Sequence, residues 1–184
     1  GIRLAASKHY DWLGGFVCGI AVAIGGGTIR DVMLGVRPFW MLSPIYMICT
    51  LFAQCGVIVC HHYLRRLDAT WFLFDTLGLA LFNIAGIQKT LECGFPFWVA
   101  IIMGCITGAA GGVIRDVLLN EEPVIFRKEI YAMACVVGGL TYWLLSWLQV
   151  SLYITVIATF AIVCAIRFLA GSYHSSLPKL RDEE

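Results

Sequence analysis

Charge is what this sequence has least of. Asp, Glu, Lys and Arg make up 14% of its 184 residues, against about 25% in an ordinary soluble domain. The formal net charge is +1 and the basic residues are scattered, nowhere more than two together, so no nucleic-acid surface is expected. Metal-ligand spacing is also missing. Seven of the eight cysteines, Cys18, Cys49, Cys55, Cys60, Cys105, Cys135 and Cys164, lie in apolar stretches with no CxxC pair, which excludes a disulfide framework or metal centre and leaves small buried hydrophobes. His61-His62 beside Arg65-Arg66 has no third ligand at helical spacing and reads as a cytoplasmic interface. No nucleophile with an adjacent base and no phosphate loop followed by lysine is present. Neither an enzyme nor a cofactor is expected.

Apolar residues fill the space that charge leaves. They are 60% of the chain, and mean hydropathy is +0.83. A membrane-spanning helix needs about 20 mostly apolar residues. Six such segments can be drawn, at 12–34, 44–61, 71–87, 97–119, 130–148 and 152–169, with short joins and a polar tail at 170–184. The expectation is an all-α membrane protein whose single transmembrane domain spans 1–184.

The chain repeats itself. Gly26-Gly27-Thr28-Ile29-Arg30-Asp31-Val32 returns 85 positions later as Gly111-Gly112-Val113-Ile114-Arg115-Asp116-Val117, and the same offset carries Gly1 onto Gly86, Gly19 onto Gly104, Pro38 onto Pro123 and Tyr46 onto Tyr131. In the second copy a whole helix, 71–87, precedes the equivalent of Gly1. A matching helix is therefore expected upstream, giving a seven-helix protomer of which this chain lacks most of helix 1. Repeat one would be 1–62, repeat two 71–148 and helix 7 152–169. Three helices per unit is odd, so the units insert with opposite orientation, as an inverted repeat.

Lys and Arg set the orientation. Arg3, Lys8, Arg65, Arg66, Arg127, Lys128, Arg167, Lys179 and Arg181 fall on one side, and only Arg37 and Lys89 on the other. The rich side is cytoplasmic, which puts the C-terminus inside. The six tryptophans mostly sit near predicted helix ends, as an interfacial belt requires.

Two features carry chemistry. Gly25-Gly26-Gly27 and Gly111-Gly112 lie past the midpoints of their helices, where each glycine costs about 1 kcal/mol relative to alanine. Kinked or opened helices are expected there, lining a cavity; the spacings Gly15-x-x-x-Gly19, Gly104-x-x-x-Gly108 and Gly108-x-x-x-Gly112 fit close helix packing instead. Arg30, Asp31, Arg115 and Asp116 follow directly. A centrally placed charge costs about 2.5–3.5 kcal/mol on insertion scales, and neighbours on a helix point about 100° apart. Each arginine is therefore expected to find its partner across the pseudo-twofold, Arg30 with Asp116 and Arg115 with Asp31, or at carbonyls freed by the glycines. The four form either a charged constriction or a structural double ion pair. Asp75, Asn83 and Thr107 are candidate pathway-lining residues beside Thr28, while Gln54 is expected to bridge helices.

The two long motifs, with Arg37-Pro38-Phe39-Trp40 after the first and Arg127-Lys128-Glu129-Ile130-Tyr131-Ala132 after the second, resemble the prokaryotic trimeric intracellular cation (TRIC) channels, whose bacterial members are also labelled glycine transporter domain proteins. The resemblance covers essentially the whole chain. It implies a homotrimer in the inner-membrane lipid, helices 2 and 5 kinked at their glycines, and one pathway per protomer for monovalent cations, chiefly potassium, with sodium as the other candidate. The second motif departs in reading Ala109-Ala110-Gly111-Gly112 where the first has three glycines. The alternative is a secondary transporter for glycine or another small zwitterion, its carboxylate on a helix N-terminus and its ammonium on Asp31 or Asp116.

Overall fold

A computed structural model describes residues 12–59, 68–127 and 130–173. Among them there is helix and no strand: α1 (Trp12–Met33), a 3₁₀ turn (Phe39–Met41), α2 (Ile45–Val59), α3 (Asp68–Glu92), α4 (Phe97–Leu118), the single turn α5 (Val124–Arg127), α6 (Ile130–Trp147) and α7 (Leu152–Tyr173). Each expected apolar segment is a helix. Four of them, α1, α4, α6 and the Leu152–Gly171 part of α7, are long and apolar enough to cross a membrane, and α2 is a shorter apolar helix. The 25-residue α3 outruns its apolar segment because polar residues continue the helix at both ends.

Helix ends are built by one device. Gly94, with φ +83°, accepts the left-handed turn that stops α3: its N–H donates to Leu91 O at 2.9 Å and the Phe95 N–H to Thr90 O at 3.3 Å, a Schellman cap. The same cap closes α1 at Gly35 and α4 at Asn120, with φ +71° and 51°. These are equivalent positions under the 85-residue offset, and asparagine is the side-chain-bearing residue that tolerates the left-handed region.

Polarity is inside out. Asp31, Asn83 and Arg167 are 1%, 0% and 2% exposed, whereas Phe52, Val59 and Tyr153 are 73%, 83% and 83% exposed. In water that arrangement is backwards; in lipid it is required. This is a multi-pass membrane protein. The α4 helix is central, packing most extensively on α3 and α1, while α6 pairs with α7. A core of Leu79, Ala80, Ala109, Tyr131, Ala134, Cys135 and Val163 ties α3, α4, α6 and α7 together. Gln54 Nε2 donates to the Trp12 carbonyl at 2.6 Å, so it bridges α2 to α1 as expected.

Candidate functional site

The glycine clusters do not interrupt their helices: α1 and α4 run unbroken through them. What these glycines show is close packing. A methyl on Gly26 would overlap the Thr107 carbonyl, and one on Gly111 would lie 2.8 Å from the Val22 carbonyl. Backbone therefore touches backbone, which only glycine permits. Along α1 the contacts run from Val22 to Gly26 while along α4 they run from Gly111 back to Thr107, so the crossing is antiparallel. The 85-residue offset maps Val22 onto Thr107 and Gly26 onto Gly111, exchanging the two contacts. On the far side of α4, Gly104 and Gly108 face α3 in the same manner, with a Gly104 methyl 2.9 Å from Asn83 O and a Gly108 methyl 3.1 Å from Leu79 O.

From this crossing each helix runs on to its charge pair. Arg30 and Arg115 stand in the last turns of α1 and α4, where the helix dipole favours a cation, and not at the midplane. The pairs lie beyond opposite sides of the crossing, about 18 Å apart along the helix axes at ~1.5 Å per residue. A cross-pair is out of reach. Arg30 donates instead from Nε and Nη2 to Asp31 Oδ1 at 2.8 and 2.7 Å, and Arg115 pairs with Asp116 Oδ1 through Nε and Nη2, both at 2.7 Å. The expectation that neighbours could not pair overlooked the length of the arginine stem, which folds back along the helix.

The second carboxylate oxygen explains why each aspartate is there. Once the cap has reversed the chain, the Phe39 N–H donates to Asp31 Oδ2 at 2.8 Å and the Val124 N–H to Asp116 Oδ2 at 3.1 Å. Donor follows acceptor by eight residues in both copies, with Pro38 or Pro123 directly before the donor. Each Asp thus clasps its arginine and the returning loop at once. Thr28 serves the first loop: its hydroxyl donates to Ile24 O at 2.7 Å and accepts from Trp40 Nε1 at 3.0 Å. Gly27 leaves room for the Phe39 ring, which a methyl would overlap.

The copies differ in what else meets the arginine. Arg30 lies 5.9 Å from the Phe39 ring centroid. Arg115 faces a second carboxylate, Asp75 Oδ1, at 3.7 Å, and Asp75 Oδ2 accepts from Arg167 Nη2 at 2.9 Å. Arg167 is buried against the faces of Tyr131 and Phe72, 4.5 and 5.0 Å from their centroids. Sequence reasoning assigned Arg167 to the cytoplasmic side without placing it in the interior, and the signal for its burial was available. Thr155, Thr159, Val163 and Arg167 recur every fourth residue, on one face of α7, and all four are buried.

Two cavities flank the crossing. One of about 310 Å³ is lined by Gly26, Gly27, Arg30, Phe39, Tyr46 and Thr107 with Gln88, Lys89 and Glu92 from α3. The other, about 120 Å³, is lined by Asp75, Gly78, Gly108, Gly111, Gly112, Arg115 and Tyr131. Gly26, Gly27, Arg30 and Tyr46 become Gly111, Gly112, Arg115 and Tyr131 under the offset, so the cavities are counterparts. Val22 and Phe82 line both. Of the expected site residues, Gly26, Gly27, Arg30 and Thr107 meet in the first cavity and Asp75, Gly111, Gly112 and Arg115 in the second. Gly25 instead packs on Ile114. Asp31 and Asp116 stand behind their arginines, and Asn83 reaches the Cys135 carbonyl at 3.4 Å. Among the described residues no group of three or more His, Cys, Asp or Glu could hold a metal ion. His61, His62, Arg65 and Arg66 lie outside the described residues.

A family model described as "Glycine transporter" matches residues 1–62 and 72–147, the two repeats. The chain belongs to this family. It is 36% identical to the UPF0126 inner membrane protein YadS of Escherichia coli K12 across all of this chain and 90% of YadS, and 37% identical to a UPF0126 membrane protein of Vibrio cholerae across 97% of this chain and 75% of that one. Among solved structures, a TRIC cation channel studied for its conductance superposes with a TM-score of 0.89 at 31% identity, covering 100% of this chain and 91% of that chain. The TRIC channel orthologue from Rhodobacter sphaeroides gives 0.90 at 31% identity, over 95% and 91%. The resemblance to TRIC channels read from the two motifs is therefore shown over the whole chain. The solved relatives are described as cation channels and the curated ones as membrane proteins.

Proposed function

We propose that this chain is one protomer of a homotrimeric monovalent cation channel in the inner membrane, with a pathway through each protomer and potassium as the main permeant ion. The observation that carries the reading is the pair of counterpart cavities on either side of the Gly26–Thr107 and Gly111–Val22 contacts. Two vestibules related by an inverted repeat, divided by one thin crossing, are half-pathways awaiting connection. Bending of α1 and α4 at their glycines, the second and fifth helices of a seven-helix protomer, joins them when Val22 and Phe82 part. Pairing of each arginine with its own aspartate cancels the positive charge that would otherwise repel cations. Repeat one occupies 1–62, repeat two 71–148 and the last helix 152–169, with the tail in the cytoplasm.

Purified protein in a planar bilayer provides the test. A channel gives unitary currents whose reversal potential follows the potassium gradient. The rival reading, a carrier for glycine or a similar zwitterion, draws on the family description and on the larger cavity, which offers the Arg30 guanidinium to a carboxylate and Glu92 to an ammonium. Saturable glycine uptake by proteoliposomes without unitary currents would decide for it.

A further inference from the structure

The smaller cavity contains an asymmetry that the repeat does not explain. Two guanidiniums, Arg115 and Arg167, converge on this end of the bundle, and Asp116 already spends one oxygen on Arg115 and the other on the Val124 amide. Among the described residues Asp75 is the one carboxylate lining the cavity, and it stands between both arginines, 3.7 Å from Arg115 and 2.9 Å from Arg167. We propose that Asp75 is the residue that makes this vestibule passable to cations. The inference rests on the channel reading.

Charge balance gives the physical reason. With Asp75 ionised, Asp75 and Asp116 face Arg115 and Arg167, two carboxylates against two guanidiniums among the described residues. Loss of Asp75 shifts that balance by one positive charge in a low-dielectric space, where unit charges interact many times more strongly than in water. Arg167 cannot swing away, because it is stacked between the Tyr131 and Phe72 rings. Its hold turns Asp75 Oδ1 toward Arg115 at a distance longer than the 2.7 Å of the Arg115–Asp116 pair. That looser contact leaves Asp75 Oδ1 able to face a passing cation.

Reversal potentials in a KCl gradient test this, since they do not depend on how much protein folds. Wild type is expected near the potassium equilibrium potential. Asp75→Asn should move the reversal potential toward zero and lower potassium conductance at least tenfold, and adding Arg115→Gln to it should return the potential most of the way. Arg167→Gln breaks the same ion pair but leaves an excess of negative charge, so it should stay cation-selective. A purely structural pair predicts that the two single variants behave alike. An unchanged potential in Asp75→Asn, or loss of selectivity in Arg167→Gln, overturns the inference. The second variant carries the test if the first does not accumulate. Absence of any current from wild type would instead remove the channel reading, and this inference with it.

Discussion

Gly26 lies so tightly against the carbonyl of Thr107 that no side chain fits between them. The repeat offset turns this contact into that of Gly111 with the carbonyl of Val22, and residues of both contacts line the two cavities. A crossing of bare backbone has no side chains to interlock, so it can slide or flex at little cost. The proposed pathway requires this property.

Gly26→Ala and Gly112→Ala should therefore differ sharply, although both sit in repeated glycine clusters. Overpacking typically costs about 1–3 kcal/mol, and because the obstacle at Gly26 is backbone the upper end applies, outweighing the ~1 kcal/mol that alanine gains in a helix. A methyl at Gly112 would find only the Tyr131 hydroxyl, at 3.5 Å, and the Arg115 Nη2, at 3.8 Å. Thermal unfolding of purified protein should show a clear loss for the first and none for the second. Equal shifts would refute the crossing.

Asp31→Asn should destabilise by about 3–5 kcal/mol, the usual result of leaving a buried charge without its partner, here Arg30, and by loosening the loop that Phe39 begins. Double-mutant cycles read from unfolding should show strong coupling between Arg30 and Asp31. Arg30 with Asp116 should be additive within about 0.5 kcal/mol, as sites separated by the crossing normally are. Coupling in the second cycle and none in the first would restore the cross-pair that the geometry rejects.

Six of the helices and the repeat were legible because apolar runs and self-similarity are one-dimensional signals. The residues of the site were legible for the same reason, since glycine and charge are conspicuous in an apolar chain. Their partners were not. Whether Gly26 breaks a helix or lets another approach depends on the neighbour, and identical spacing serves both. The aspartate clasp closes through a loop amide, which has no side-chain signature, and only Pro38 and Pro123 mark its place. The burial of Arg167 was missed because only its side of the membrane was counted, although the buried face it continues was already spelled out by Thr155, Thr159 and Val163.

The burial of Arg167 leaves the orientation prediction intact. With Arg167 buried in the bundle, the remaining Lys and Arg still favour the side holding Arg65, Arg66, Arg127 and Lys128 over that of Arg37 and Lys89. A reporter fused after Glu184 should read as cytoplasmic, as should a tag inserted near Arg66. A periplasmic signal from either would overturn the opposed orientation of the two repeats.

The mouth of the larger cavity offers a test that leaves the fold alone. Lys89 and Glu92 line it and form a pair at 3.5 Å, with side chains 42% and 67% exposed. Pairs this exposed contribute about 0–1 kcal/mol to stability, so Glu92→Gln and Lys89→Gln should unfold like wild type. Their effect should fall on the local concentration of cations. Glu92→Gln leaves Lys89 uncompensated and should lower potassium conductance severalfold at about 10 mM salt, where the Debye length is ~30 Å, while Lys89→Gln should raise it. Near 1 M salt, with screening over ~3 Å, both should converge on wild type. Conductance measured across that salt range decides the matter: no dependence on either charge would mean that ions do not enter through this cavity.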